Sequence, residues 1–188
     1  MTISTTARRI TRWAVVPAAV GLGLGLSLTA LAAPTAEAAS YTCNGYRATI
    51  VGTNGNNDIE GTSGRDVIVA LGGHDEIDGN GGNDVICAGA GNDEVDGGSG
   101  NDWIDGGSGH DDLEGSSGRD TMKGGSGNDH LEGESGRDKL FGNSGRDLVE
   151  GGTAKDTVSG GSGADVVKQR YASDRQEDRW EDQNRWDD

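Results

Sequence analysis

Aromatic residues make up only 4% of this 188-residue chain, with a single Phe and two prolines, and its 16 basic residues are half as many as its 32 acidic ones. Each shortage excludes something. With so few large apolar groups the chain cannot assemble a conventional core. The acidic surplus argues against nucleic acid or an anionic membrane as partner, and for metal cations. HExxH, P-loop and EF-hand patterns are also missing. Glycine, by contrast, is abundant at 35 residues. Glycine and charge at this level normally signal disorder, because too little apolar surface is available to offset the entropy of ordering the backbone. Something other than apolar burial must hold a folded form together.

The one long hydrophobic run lies at the N-terminus. Residues 1–12 carry Arg8, Arg9 and Arg12 and no acid, the apolar run from Trp13 to Ala33 follows, and the small residues near Ala38 and Ala39 suit cleavage. Residues 1–38 are expected to be a secretory signal peptide. Pro17 and three glycines weigh against a membrane anchor of spanning length, and the Arg8-Arg9 pair fits a twin-arginine signal only loosely, which leaves the export route open. Removing residues 1–38 takes away three arginines and Glu37, leaving 13 basic and 31 acidic residues and a net charge of −18. The mature chain is expected to be secreted and extracellular, with no membrane span. In that setting its two cysteines, Cys43 and Cys87, are expected to form a disulfide.

From Gly52 to Lys168 thirteen nonapeptides follow one another without insertion or deletion, of which GGSGNDWID (97–105) and GGSGHDDLE (106–114) are typical. The fourth position is Gly in twelve of the thirteen, the sixth is Asp in twelve, and the eighth is Ile, Leu, Val or Met in all. Glycines at positions one, two and four permit positive φ and close backbone approach, so that six residues can form a tight turn with carbonyls directed inward. A carboxylate at position six completes an all-oxygen donor set of the kind calcium takes. Positions seven to nine are a minimal strand whose eighth side chain points inward while the seventh and ninth face solvent.

These repeats resemble the RTX family, the hemolysin-type calcium-binding repeats with the signature G-G-x-G-x-D-x-U-x. The resemblance spans 117 residues. It implies an all-β fold, a right-handed parallel β-roll (β-solenoid) in which two nonapeptides form one coil and calcium sits between stacked turns of repeats n and n+2. It also implies that the metal ligands are Asp66, Asp75, Asp84, Asp93, Asp102, Asp111, Asp120, Asp129, Asp138, Asp147, Asp156 and Asp165. Thirteen turns split seven and six between two edges, which allows at most eleven Ca2+ sites. Three departures stand out: Asn57 replaces the acid of the first repeat, with Asp58 displaced outward; Ala154 replaces Gly in the twelfth; and Ala70 and Ala88 open the third and fifth. Weaker occupancy is expected at the first and twelfth.

One aliphatic side chain per nine residues falls far short of the cost of ordering the backbone, so folding should depend on calcium. The expected organisation is signal peptide 1–38, N-terminal cap 39–51, β-roll 52–168 and a polar C-terminal tail 169–188. Extending the frame backward places Ile50 at an eighth position and Cys43 at a first. His74, His110 and His130 are expected on the surface, with His74 and His110 about two coils, roughly 10 Å, apart and unable to share a zinc. The aspartates repeat in equivalent environments, whereas acid–base catalysis needs carboxylates in unlike ones, and no catalytic activity is expected. Calcium binding is the expected function. The alternative is a calcium-dependent adhesion or matrix module that contacts its partner through Trp103, Phe141 and the tail residues Trp180 and Trp186.

Overall fold

The computed structural model describes residues 40–169; the expected signal peptide and all of the expected tail except Gln169 lie outside the described residues. Positions seven to nine form strands throughout, and strands eighteen residues apart lie side by side in parallel. Even-numbered repeats, preceded by Ile50–Val51, build one seven-stranded sheet: Val67–Val69, Val85–Ala90, Trp103–Ser108, Thr121–Ser126, Lys139–Ser144 and Thr157–Ser162. Odd-numbered repeats build the other: Asp58–Glu60, Glu76–Asp78, Glu94–Asp96, Asp112–Glu114, His130–Glu132, Leu148–Glu150 and Val166–Lys168. The register is that of the repeat, with Ile104 opposite both Ile86 and Met122. Two nonapeptides thus make one coil, and the described residues form an all-β solenoid of about seven turns, with no α-helix among them.

The core is a single file between the two sheets. Every eighth-position side chain from Ile59 to Val149 is buried, Val158 is half-buried, and Val167, on the last strand, is 45% exposed. Ala70 and Ala88, irregular at a first position, are fully buried members of the same file. Most even-sheet strands are longer than three residues. They run on into the following turn because amides there bond to the neighbouring coil, as Ala90 N–H does to the Leu71 carbonyl at 3.1 Å.

The glycines divide the work differently from expectation. Fourth-position glycines from Gly73 to Gly163 hold φ between +116° and +151°, and the Gly82 carbonyl occupies the place a Cβ on Gly100 would need. From Leu71 onward second positions are also left-handed, at milder φ values near +62° to +79° where Leu71, Asn80, Ser116, Glu134 and Asn143 stand. First-position glycines do not have positive φ. They must be small for another reason: a Cβ on Gly97 or Gly115 would come within 3.0 or 2.9 Å of Oδ2 of Asp102 or Asp120.

The even sheet does not expose its outer face over the first coils, which corrects the reading that seventh and ninth positions all face solvent. A hairpin of Thr42–Cys43 and Tyr46–Arg47, turning at Asn44 and Gly45 with positive φ at both, lies over it. Cys43 and Ala48 pack there with Val67, Val69 and Val85, with Val51 and Trp103 at the edge of the cluster. The expected disulfide joins Cys43 to Cys87, whose Cα atoms are 5.8 Å apart. Valine at three adjacent outward positions was the sequence signal for a covered face. From this packing, Leu113→Ala should lower the unfolding free energy by about 2–5 kcal/mol in calcium. Val167→Ala at the exposed end should change it by less than about 0.5 kcal/mol. Urea unfolding measures both, and comparable losses at the two positions would contradict a core that ends before Val167.

Candidate metal centre

The sixth-position aspartates stand in two columns, one along each edge of the solenoid. On the even edge the backbone N–H of Asp66 donates to Asp84 Oδ1, that of Asp84 to Asp102 Oδ1 and so on to Asp156, at 2.7–3.0 Å. On the odd edge the same bond runs from Asn57 through Asp75, Asp93, Asp111, Asp129 and Asp147 to Asp165, at 2.8–3.1 Å. The structure therefore brings together every aspartate that the resemblance implied. Those from Asp66 to Asp156 are buried, and Asp165 at the open end is half-buried.

The second carboxylate oxygen carries the chemistry. From Asp75 to Asp156, Oδ2 of every column aspartate is shielded from solvent and has no hydrogen-bond partner. Such an orphaned acceptor is costly to bury. The cost shows in proton affinity. Burial pushes Asp84, Asp93, Asp102, Asp111, Asp120, Asp129 and Asp138 above the ordinary carboxylate value, against the opposing pull of the amide one coil earlier. Neighbouring carboxylates add to the rise. Asp102 and Asp138 reach about 6, and Asp111 and Asp120, mid-column, about 7. Lines of buried, donor-less oxygens with no sulfur or imidazole among them fit a hard divalent cation such as Ca2+. Bound there, the ion would supply the positive charge that these oxygens lack.

Each column begins differently from the rest. Thr62 donates through both its N–H and its Oγ1 to Asp66 Oδ2, at 2.6 and 2.8 Å, so that oxygen is satisfied within its own turn. On the other column Thr53 bonds Asn57 Oδ1 in the same way, and Asn57 Nδ2 donates to Asp75 Oδ1 at 2.7 Å and to the carbonyls of Thr53 and Gly55. An amide group with two protons thus points at oxygens of the kind a cation would otherwise gather. Gly55 and Gly64, unlike later fourth-position glycines, do not adopt positive φ. Threonine stands at position two only in the first two repeats, a signal that the sequence reading passed over.

Position five was also underread. Side chains there accept the amide of the fifth-position residue one coil on: Asn56 from His74, His74 Nδ1 from Asn92, Asn92 from His110, His110 Nδ1 from Asn128 and Asn128 from Arg146. Asn83 and Asn101 do the same on the even edge. His74 and His110 are exposed as expected, yet each is part of the ladder that stacks the turns. The recurrence of Asn and His at one position could have revealed it, because both offer an acceptor about the same distance from the backbone.

No helix among the described residues is long and apolar enough to cross a membrane. A search of curated proteins finds no match. The family model for the RTX calcium-binding nonapeptide repeat matches residues 51–86, 88–113, 105–140, 114–149 and 141–167. Matched along nearly the whole solenoid by that model, and carrying the two aspartate columns, the chain belongs to the RTX calcium-binding nonapeptide repeat family.

Proposed function

We propose that this is a secreted calcium-binding protein without catalytic activity, whose repeats take up Ca2+ between stacked turns and whose folding is coupled to that uptake. The unpartnered Oδ2 atoms from Asp75 to Asp156 carry the reading. They are donor-less, buried and regularly spaced, and they make the metal-free solenoid an assembly of uncompensated negative charge. Asp165 extends the odd column at its open end. Asn57 and Asp66 start their columns with hydrogen bonds that satisfy the turn internally, so the first turn on each edge needs no ion of its own. A disulfide is consistent with an extracellular location. Of the residues that the adhesion reading invokes, Trp103 is half-buried at the edge of the hairpin cluster, with Lys123 over its ring at 5.1 Å.

Three outcomes test the proposal. Far-ultraviolet circular dichroism of the mature chain should report a largely disordered polypeptide in chelator and β structure in millimolar calcium; a spectrum indifferent to calcium would rule out coupled folding. Calorimetric titration should give one additional calcium equivalent for Asn57→Asp, which replaces an amide donor by a carboxylate; an unchanged stoichiometry would show that Asn57 does not stand in for an ion.

The third concerns pH. A carboxyl whose pKa is raised in the folded state opposes folding most above that value, near pH 7 for Asp111 and Asp120, and ceases to do so below the ordinary value of 3.8. In chelator, acidification from about pH 8 to pH 4 should therefore increase β content as protons neutralise the columns. At fixed, subsaturating calcium the same acidification should weaken calcium binding, because protons compete for the same oxygens. Calcium affinity that stays flat from pH 8 to pH 5 would exclude the column carboxylates as ligands.

A further inference from the structure

The outer face of the odd sheet carries a second, chemically different cluster. His130 and Glu132 are the seventh and ninth residues of the ninth repeat, so both point outward from one strand. Asp112 is the register partner of His130 on one side, and Glu150 is that of Glu132 on the other. Neighbouring strands lie about 4.8 Å apart, which puts Asp112 on one side and Glu150 on the other within reach of the His130–Glu132 pair. One ligand atom each from His130, Glu132 and Glu150 lies within 4.8 Å of the other two.

His130 is set up unlike the other two described histidines. Its Nδ1 is 3.0 Å from Asp112 Oδ1, a contact that a neutral ring makes by donating from Nδ1–H, which leaves Nε2 with a lone pair. That Nε2 is shielded from solvent and makes no hydrogen bond, although Glu132 Oε1 lies 3.0 Å away. Two acceptors facing each other at that distance require a positive species between or beside them. His74 and His110 use Nδ1 to accept a backbone amide, so their other nitrogen carries the proton and has no lone pair to give.

We propose that His130 Nε2 and the carboxylates of Glu132 and Glu150 form a site for one borderline divalent cation of the zinc class, separate from the aspartate columns. One imidazole and two carboxylates are a ligand set that zinc accepts and that calcium, which takes oxygen alone, does not favour. Asp112 is the positioning residue: a carboxylate on the far ring nitrogen orients the imidazole and raises its basicity, as outer-shell partners of metal-bound histidines do. Glu150 also pairs with Lys168 at 2.7 Å, which holds its carboxylate over this face and gives the ion a competitor to displace. The rival occupant of Nε2 is a proton, making an imidazolium between Asp112 and Glu132.

The test uses the mature chain saturated with calcium, its fold confirmed by circular dichroism, titrated calorimetrically with zinc chloride. One zinc equivalent is expected. His130→Gln and Glu150→Gln should each weaken it at least about 10-fold, and Asp112→Asn by about 10- to 100-fold. His74→Asn and His110→Asn, which keep the amide acceptor that asparagine supplies elsewhere in that ladder, should leave it unchanged. In the wild-type chain the ring resonances of His130 should shift with the first zinc equivalent while those of His74 and His110 do not, a readout independent of how any variant folds. Absence of zinc binding in calcium would assign Nε2 to the proton and overturn the proposal. So would binding that survives His130→Gln, or ring shifts that begin at His74 or His110.

Discussion

Between successive coils the backbone N–H of one aspartate donates to Oδ1 of the next, at 2.7–3.1 Å along both columns. This bond holds the carboxylate inside the stack, so the other oxygen is buried with it. A Cβ on the first-position glycines from Gly79 onward would crowd that oxygen, which is why glycine stands at all but two first positions; the exceptions, Ala70 and Ala88, belong to the buried core file. Magnitudes show why the arrangement is incomplete by itself. Neighbouring carboxylates about 4.8 Å apart repel by about 0.9 kcal/mol at water's dielectric and by about 3.5 kcal/mol at an effective dielectric of 20. A charge-assisted hydrogen bond contributes about 1.5–3 kcal/mol, so the ladder roughly cancels its own repulsion and leaves the burial of each charge uncompensated. Under the proposed function, a cation between the turns would be the remaining term.

The solenoid is polar along its axis, and its two ends are handled by different means. At the start, Thr53, Thr62 and Asn57 satisfy the first turns with protein donors, the hairpin covers the outer face of the even sheet, and the disulfide ties that hairpin to the fourth repeat. A one-dimensional stack is stable only as far as each layer has neighbours, so an end closed by covalent and neutral contacts gives later coils a surface on which to form. At the far end Val166 and Val167 are exposed and Asp165 is half-buried. The described part of the chain thus has a finished end and an open one.

The period made the fold readable. Constancy at positions four, six and eight fixed the strand, the turn and the inward side chain without reference to any partner, and the observed register follows the nonapeptide at every coil. Local reading failed where a residue's role depends on the coil eighteen residues away. Val67 and Val69 within GTSGRDVIV signal a covered face, but nothing in that repeat shows what covers them, which is a hairpin that precedes the repeats. His74 looks like an isolated surface residue until Asn92 is placed beside it. The glycine at position one looked like a conformational device, and only the stacked structure shows that it makes room for a carboxylate.

Because two nonapeptides make a coil, the repeat relevant to the surface is eighteen residues long. Positions seven and nine of odd repeats share one face, and those of even repeats share the other, so alternate repeats can be written independently. They have been. The even face reads Val67, Val69, Val85, Cys87 and Trp103, an apolar strip under the hairpin, and then a mixture of Asp105, Thr121, Lys123, Lys139, Phe141, Thr157 and Ser159. The odd face is almost continuously acidic from Asp58 to Glu150, interrupted at seventh positions by His130 and Leu148. Neither face takes part in the aspartate columns, whose requirements end at positions one, four and six. The aspartate columns therefore constrain the inside and the edges of the solenoid and leave both broad faces free to acquire chemistry of their own, which is how an imidazole can stand among carboxylates without disturbing a single coil.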